Sequence, residues 1–209
     1  MFFISIEGIE GAGKSTQVKL LTERLVEKGF KALATFEPGG TAIGRRIREI
    51  LLDVNHAGMD AVAELLLYNA ARAQHVTKVI RPALAAGKIV VTDRFTDSTM
   101  AYQGFGRGLD MQTIAQLDAL AAGGLRPDLT ILLDLDVPTG LGRNREAHKV
   151  DRLELETQAF HQRVRRGFLE IAASEPLRFK VIDASGAVAE VFKTVAAAAL
   201  AALEALGAA

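Results

Sequence analysis

The sequence contains no cysteine, which excludes a disulfide framework and thiolate metal sites. It carries no net charge either: 25 Lys and Arg balance 25 Asp and Glu. An extended nucleic-acid surface needs a basic excess, so no nucleic-acid partner is expected. Long apolar runs are missing as well. The longest, Val195 to Leu203, is mostly alanine and is ended by Glu204, too short to span a bilayer. The N-terminal stretch lacks the basic start and long apolar segment of a secretory signal. No membrane partner is expected, and the expected compartment is the cytoplasm. Proline is scarce, with five in 209 residues, so little interrupts regular structure. What is present, 49% hydrophobic and 24% charged residues, suits a fold with a core of its own. A chain of this size buries roughly 70% of its unfolded surface and needs no covalent or metal staple.

No internal repeat or linker-like stretch breaks the chain, so residues 1–209 read as one domain. Short apolar runs at 2–6, 31–36, 88–92, 129–135 and 179–183 read as strands. Helical patterns lie near 15–28, 41–53, 60–86, 111–122, 156–173 and 187–205. The alanines of the last segment read as the end of a helix. Alternation of this kind predicts an α/β fold, a mostly parallel sheet covered by helices on both faces. Ligands in such folds sit beyond the carboxyl ends of the strands.

The first strand runs into Gly8-Ile9-Glu10-Gly11-Ala12-Gly13-Lys14-Ser15, a full GxxxxGK(S/T) match. Its glycines let successive N–H groups turn inward onto phosphate oxygens, and the next helix adds its positive dipole end. In a P-loop the lysine, here Lys14, reaches the β- and γ-phosphates, and the hydroxyl of Ser15 is a Mg²⁺ ligand. ATP and Mg²⁺ are therefore the expected cofactors. A regulatory GTPase would need an NKxD motif, and none of Asn55, Asn69 or Asn144 is followed by lysine. The DxxG match at Asp183 to Gly186 follows the last strand, the wrong order for a switch region.

Two other strand ends carry candidate chemistry. Strand 88–92 ends in Asp93-Arg94-Phe95, an acid and a base that can hold a metal–water shell and clamp a second phosphate. Strand 31–36 ends in Glu37-Pro38-Gly39-Gly40-Thr41, where Thr41 also reads as the cap of the next helix.

Six segments in order, IEGIEGAGKST, FEPGGT, YNAARAQH, DRFTDSTMAYQG, RPDLTILLDLD and RNREAHKVDR, resemble the thymidylate kinase family from end to end. The resemblance implies the P-loop nucleoside monophosphate kinase fold, a five-stranded parallel sheet with a lid, here about 142–152. It implies Mg-ATP as donor, dTMP as acceptor and a homodimer. A same-fold kinase acting on another nucleoside monophosphate, or on a nucleoside, is the alternative. A phosphate monoester has a second pKa of about 6, so its oxygens are nucleophilic at neutral pH without a base. The chemistry left is positioning and charge neutralisation, which predicts a site rich in Arg, Lys and Mg²⁺ and poor in His.

Residue by residue, the resemblance places ATP on Gly8, Glu10, Gly11, Ala12, Gly13, Lys14, Ser15 and Thr16. It gives Arg94 the bridge between donor and acceptor phosphates, and Asp93 the orientation of Arg94 and of the Mg²⁺ shell. Arg48 falls where the family contacts the acceptor phosphate, although Arg45 and Arg46 crowd the same helix. Glu10 corresponds to an acid that accepts from the 3′-hydroxyl of dTMP. Tyr68 falls where a Phe stacks on thymine, and Arg72, four residues on, where an arginine donates to a pyrimidine carbonyl. Glu37, Pro38, Ser98, Thr99 and Gln103 line the acceptor pocket, and Tyr102 is the ring against C2′. Gly11 stands where one subtype has a P-loop arginine, so catalytic arginines are expected from the lid, at Arg143 and Arg145. A further basic lid position is Ala147 here, with Lys149 nearby.

Overall fold

A computed structural model describes residues 1–146, 151–205 and 207, the side chains of Arg145 and Glu146 excepted. Five strands form one parallel sheet: β1 (Phe2–Glu7), β2 (Ala32–Phe36), β3 (Ile89–Asp93), β4 (Leu129–Asp134) and β5 (Phe179–Asp183). Their spatial order is β2-β3-β1-β4-β5. β1 is central and buried along its whole length, as its near-continuous apolar run requires of a parallel strand covered on both faces. The expected fold is therefore present, and every expected strand is found within a residue or two of its place.

Register decides where the chemistry sits. Ile6 of β1 pairs with Asp93 of β3, and Asp93 pairs with Phe36 of β2. The P-loop, the Asp93-Arg94 turn and the Glu37-Pro38 turn therefore leave the same carboxyl edge side by side.

Helices α1 (Lys14–Glu27), α2 (Ala42–Leu52), α3 (Ala61–His75), α4 (Arg81–Ala85), α5 (Thr96–Thr99), α6 (Met111–Ala122), α7 (Val137–Glu146), α8 (Gln158–Ser174) and α9 (Val188–Ala205) cover the sheet. Thr41 caps α2 as expected, its hydroxyl accepting from the Gly44 N–H at 2.9 Å. The expected helix over 60–86 is interrupted by a π turn at Val76–Ile80, which carries both Val76 and Ile80 into the core beside Phe3 and Phe95.

Two helical stretches are absent from the sequence reading. The first is α5 with the π segment Met100–Gly106 that extends it. Its Thr, Ser and Gly residues have low helix propensity, but packing on α8 holds it. The second is α7, whose Pro138, Gly140 and Gly142 read as a breaker pattern. The first part of the expected lid is the end of this helix. Ala147, His148, Lys149 and Val150 lie outside the described residues.

Candidate active site

Gly8, Gly11 and Gly13 have φ of 142°, 72° and 88°, and the loop they shape closes onto α1. Gly13 is the N-cap of that helix and offers no side-chain acceptor, so the first-turn N–H groups point into the loop uncapped. This is a geometry in which those N–H groups could hold an anion. Lys14 is buried, with Nζ donating to the Ile9 carbonyl at 2.7 Å. Burial and the nearby Arg94 push its ammonium down to about 8, against the pull of Asp93, Glu10 and Glu7.

Ser15 donates to Asp93 Oδ2 at 2.6 Å, joining the P-loop to the end of β3. These are the two residues expected to hold Mg²⁺. Among the described residues no group of three or more His, Cys, Asp or Glu forms a metal site. One hydroxyl beside one carboxylate fits Mg²⁺, which keeps waters and takes phosphate ligands, better than it fits a metal caged by protein.

Arg94 follows in a left-handed conformation, φ 73°, rarely tolerated by a side chain with a Cβ and costing about 1–3 kcal/mol. Its guanidinium donates to the Gly8 carbonyl and Ser98 Oγ at 3.0 Å each. It also donates to the Tyr102 hydroxyl at 3.0 Å and to Glu10 Oε1 at 3.1 Å. It lies over the Tyr102 ring, 4.8 Å from the centroid. One arginine thus touches the P-loop backbone, the P-loop acid and the acceptor-side tyrosine.

Glu10 accepts from Arg94 and from the Tyr102 hydroxyl, and its Oε2 stands 3.3 Å from His161 Nδ1. Burial alone would raise its pKa. His161, Arg94, Lys14 and Tyr102 outweigh that and hold the carboxyl below the usual carboxylate range. The unfavourable acid in the cradle therefore has cationic company.

The residues expected on the acceptor side lie together. Tyr68, Arg72, Ser98, Thr99, Tyr102, Gln103, Glu37, Pro38 and Arg48 line one cleft of about 1120 Å³ that reaches Lys14, Ser15 and Thr16. Arg48 donates to the Pro38 carbonyl at 3.0 Å, whereas Arg45 and Arg46 are exposed and Arg46 pairs with Glu49. Arg72 is more heavily engaged than the sequence implied. It donates to Glu37 Oε2 (2.9 Å), Asp118 Oδ1 (2.5 Å) and the Phe95 carbonyl (3.1 Å). Guanidinium carries five N–H groups, so the remainder can still face the cleft. Thr99 lines the same cleft, and its Oγ1 is buried with no hydrogen-bond partner among the described residues.

Arg143 lies on α7, its guanidinium donating to the carbonyls of Gly11 (3.4 Å), Ala184 (3.0 Å) and Ser185 (3.1 Å). It ties α7 to the P-loop and to the turn after β5. The expected contribution of Arg145 falls on a side chain outside the described residues.

Several site residues escaped the sequence reading. The site was expected to be poor in histidine, yet two of the four histidines support it. His161 faces Glu10, and His75 holds Glu37 Oε1 at 2.9 Å while contacting Thr35 Oγ1 at 2.6 Å. His75 lies one turn after Arg72 on α3, a signal that was available. His161 on α8 had no local signal. Glu64 is fully buried, accepting from Gln103 at 2.8 Å and Arg107 at 3.0 Å and ion-pairing with Arg152 at 2.5 Å, so it ties Arg152 to Gln103 in the cleft.

Residues 6–195 match the family model described as thymidylate kinase. A thymidylate kinase of Geobacter sulfurreducens is 54% identical over 193 residues, covering 90% of this chain and 91% of that protein. One from Synechococcus sp. (strain JA-2-3B'a(2-13)) is 57% identical over 189 residues, covering 90% and 89%. The crystal structure of thymidylate kinase from Ehrlichia chaffeensis superimposes with a TM-score of 0.77. It is 37% identical and covers 95% of this chain and 98% of that one.

Proposed function

This chain belongs to the thymidylate kinase family, and from that premise we propose how its cleft carries the γ-phosphoryl of ATP to dTMP. The activity is that of a thymidylate kinase, with ATP as donor. The observation that supports the residue roles best is the position of Arg94, within 3.1 Å of both the P-loop carbonyl of Gly8 and the acid Glu10. A guanidinium there reaches the phosphates of both nucleotides.

Lys14 and the uncapped N–H groups of α1 hold the donor phosphates, with Gly8 to Thr16 shaping the cradle. Ser15 and Asp93 would hold Mg²⁺, which neutralises phosphate charge when bound. Arg48 and Arg94 hold the acceptor phosphate, Tyr68 stacks on the base and Arg72 donates to it. Glu10 takes the 3′-hydroxyl and Tyr102 closes the space at C2′. The acceptor phosphate brings its own nucleophilic oxygen, so no residue needs to act as base. The whole chain, 1–209, acts as one domain with a lid at about 142–152. The reading includes a homodimer, supported by the exposed apolar side chains Ile43 and Ile50 on α2 and Val62 and Leu66 on the adjoining α3. It also includes the cytoplasm; among the described residues no helix is long and apolar enough to cross a membrane.

ADP release measured across dTMP, dUMP, UMP, CMP, AMP and thymidine tests the acceptor. Preference for anything but dTMP overturns it. In the same assay Tyr102→Ala is expected to narrow the gap between dTMP and its ribo analogue by about 10-fold, the scale of one lost steric contact. An unchanged ratio assigns the ring another role.

The lid-arginine subtype is part of the proposal. Its support is Gly11, where a side chain would meet the lid helix instead of the phosphates. Arg143→Ala and Arg145→Ala are each expected to lower kcat by about 100-fold or more with little change in dTMP affinity. A pure KM effect removes these arginines from the transfer step.

A further inference from the structure

Glu7 is a fully buried carboxylate beneath the transfer site, and the mechanism above gives it no task. It ends β1, directly before the P-loop. Oε1 accepts from the Phe95 N–H and from Ser5 Oγ, and Oε2 accepts from Ser98 Oγ, each at 2.6 Å. Phe95 and Ser98 both belong to the segment that presents Arg94.

We propose that Glu7 is a positioning residue that holds Arg94 in its left-handed conformation and aims its guanidinium across the cleft. The idea rests on the bridging role proposed for Arg94. A backbone at φ 73° persists only where its surroundings over-determine it. Here the Arg94 N–H bonds to the Ile6 carbonyl at 3.1 Å, and Thr92 Oγ1 donates to the Arg94 carbonyl at 3.0 Å. The next N–H, that of Phe95, turns inward, and the acceptor it meets is Glu7. The second carboxylate oxygen acts on the side chain. Ser98 gives its proton to Glu7, which leaves its oxygen facing Arg94 Nη1 as an acceptor at 3.0 Å. One carboxylate thus sets both the backbone and the guanidinium of Arg94.

The electrostatics agree with a functional and not a stabilising group. Burial first, then Asp97, raises the Glu7 carboxyl from 4.5 to about 7, against the hydrogen bonds of Ser5 and Ser98 and the charge of Arg94. Lys14 and Arg72 also face it and favour its ionised form. A carboxyl raised in the native state keeps a proton that the unfolded chain releases. Its ionised form therefore costs stability as pH rises from 4.5 to 7, and the cost is complete above 7.

Glu7→Gln separates the two roles. The introduced amide must donate to Ser98 Oγ where the carboxylate accepts, so the Ser98 proton loses the acceptor that fixed it and the hydroxyl no longer holds a set orientation toward Arg94. Expected at pH 8 are a thermal midpoint equal to or above that of the native protein and a kcat about 100-fold lower, the scale of a misplaced catalytic group. The dTMP KM should stay within about threefold. In an Arg94→Ala background the same substitution should cost less than about twofold, because the residue it positions is gone. Native kcat in Glu7→Gln, or an equal loss in both backgrounds, overturns the proposal. If Glu7→Gln does not fold, Ser98→Ala cuts the side-chain arm alone, and its kcat loss should likewise vanish without Arg94. An Arg94→Ala enzyme with native kcat would instead sink the bridging role, a different failure.

Discussion

Arg94→Ala is expected to lower kcat by at least about 10³-fold, the range of an arginine that stabilises a transferring phosphoryl group. Four separate acceptors fix the guanidinium, at the Gly8 carbonyl, Ser98, Tyr102 and Glu10. Such preorganisation means no reorganisation is needed as negative charge spreads over the moving group. On the bridging role proposed for Arg94 its contact strengthens in the transition state, so the loss should appear in kcat and only weakly in the dTMP KM. Arg94→Lys should recover little, because an ammonium cannot span the four acceptors that the planar fork reaches. Steady-state ADP release checks both variants. A loss below about 10-fold in Arg94→Ala places the bridging charge elsewhere, with Lys14 and Arg48 the next candidates.

Gly11→Arg is expected to inactivate the enzyme and not to convert it to the subtype with a P-loop arginine. Gly11 has φ 72°, and a Cβ built there lies 2.1 Å from the Gly140 carbonyl oxygen and 2.7 Å from its carbon. Both neighbours are backbone, so no side chain can swing away. Gly140 meets the same limit from α7, where a Cβ would lie 2.5 Å from the Glu10 carbonyl oxygen. The P-loop and α7 thus approach backbone to backbone at a glycine pair. Left-handed strain alone costs about 1–2 kcal/mol for an L-residue, and the clash adds to it. A thermal midpoint lower by about 5 °C or more is expected. A kcat loss beyond about 100-fold should accompany it, since the loop that carries Glu10 and Lys14 must move. The decisive measurement pairs it with Arg143→Ala. If Gly11→Arg restores activity to Arg143→Ala, the two arginines are interchangeable and the geometric argument is wrong.

The parts of the site that were legible in the sequence share one property. Gly8 to Ser15, Asp93-Arg94 and Glu37-Pro38 each follow directly on a strand whose apolar run is unmistakable. Parallel register then brings the three together without further information. Tyr68 and Arg72 were singled out by the family resemblance, and their spacing of four added only that both share one helix face. His161 and Asp118 had no such frame. Each comes from a helix remote in sequence and meets its site partner, Glu10 or Arg72, only through the packing of that helix. Glu64 lies on α3 four residues before Tyr68, but its partners Arg107 and Arg152 come from distant segments.

Local sequence also misled where packing overrides propensity. Thr96 to Gly106 and Val137 to Gly142 are rich in residues that disfavour helix, yet both stretches are helical. In the second, Gly140 that reads as a breaker is the point of close approach to the P-loop. The reading of Arg72 was incomplete for the reverse reason. Its helix face was right, but the buried acids Glu37 and Asp118 that share its guanidinium come from other elements.

The sequence by itself determined the fold, the donor loop and the strand ends that carry Asp93 and Arg94; the acceptor came from the resemblance of its six segments to the thymidylate kinase family. The first three follow from short-range rules: apolar periodicity, glycine conformations, and motifs whose residues act within a turn of one another. Tertiary structure alone decided how the charges are held. It set Arg94 on a left-handed turn over buried Glu7, placed His161 against Glu10, and closed the glycine contact that bars an arginine from the P-loop. Those arrangements depend on desolvation and on contacts between distant segments, and both come into being only when the helices close over the sheet.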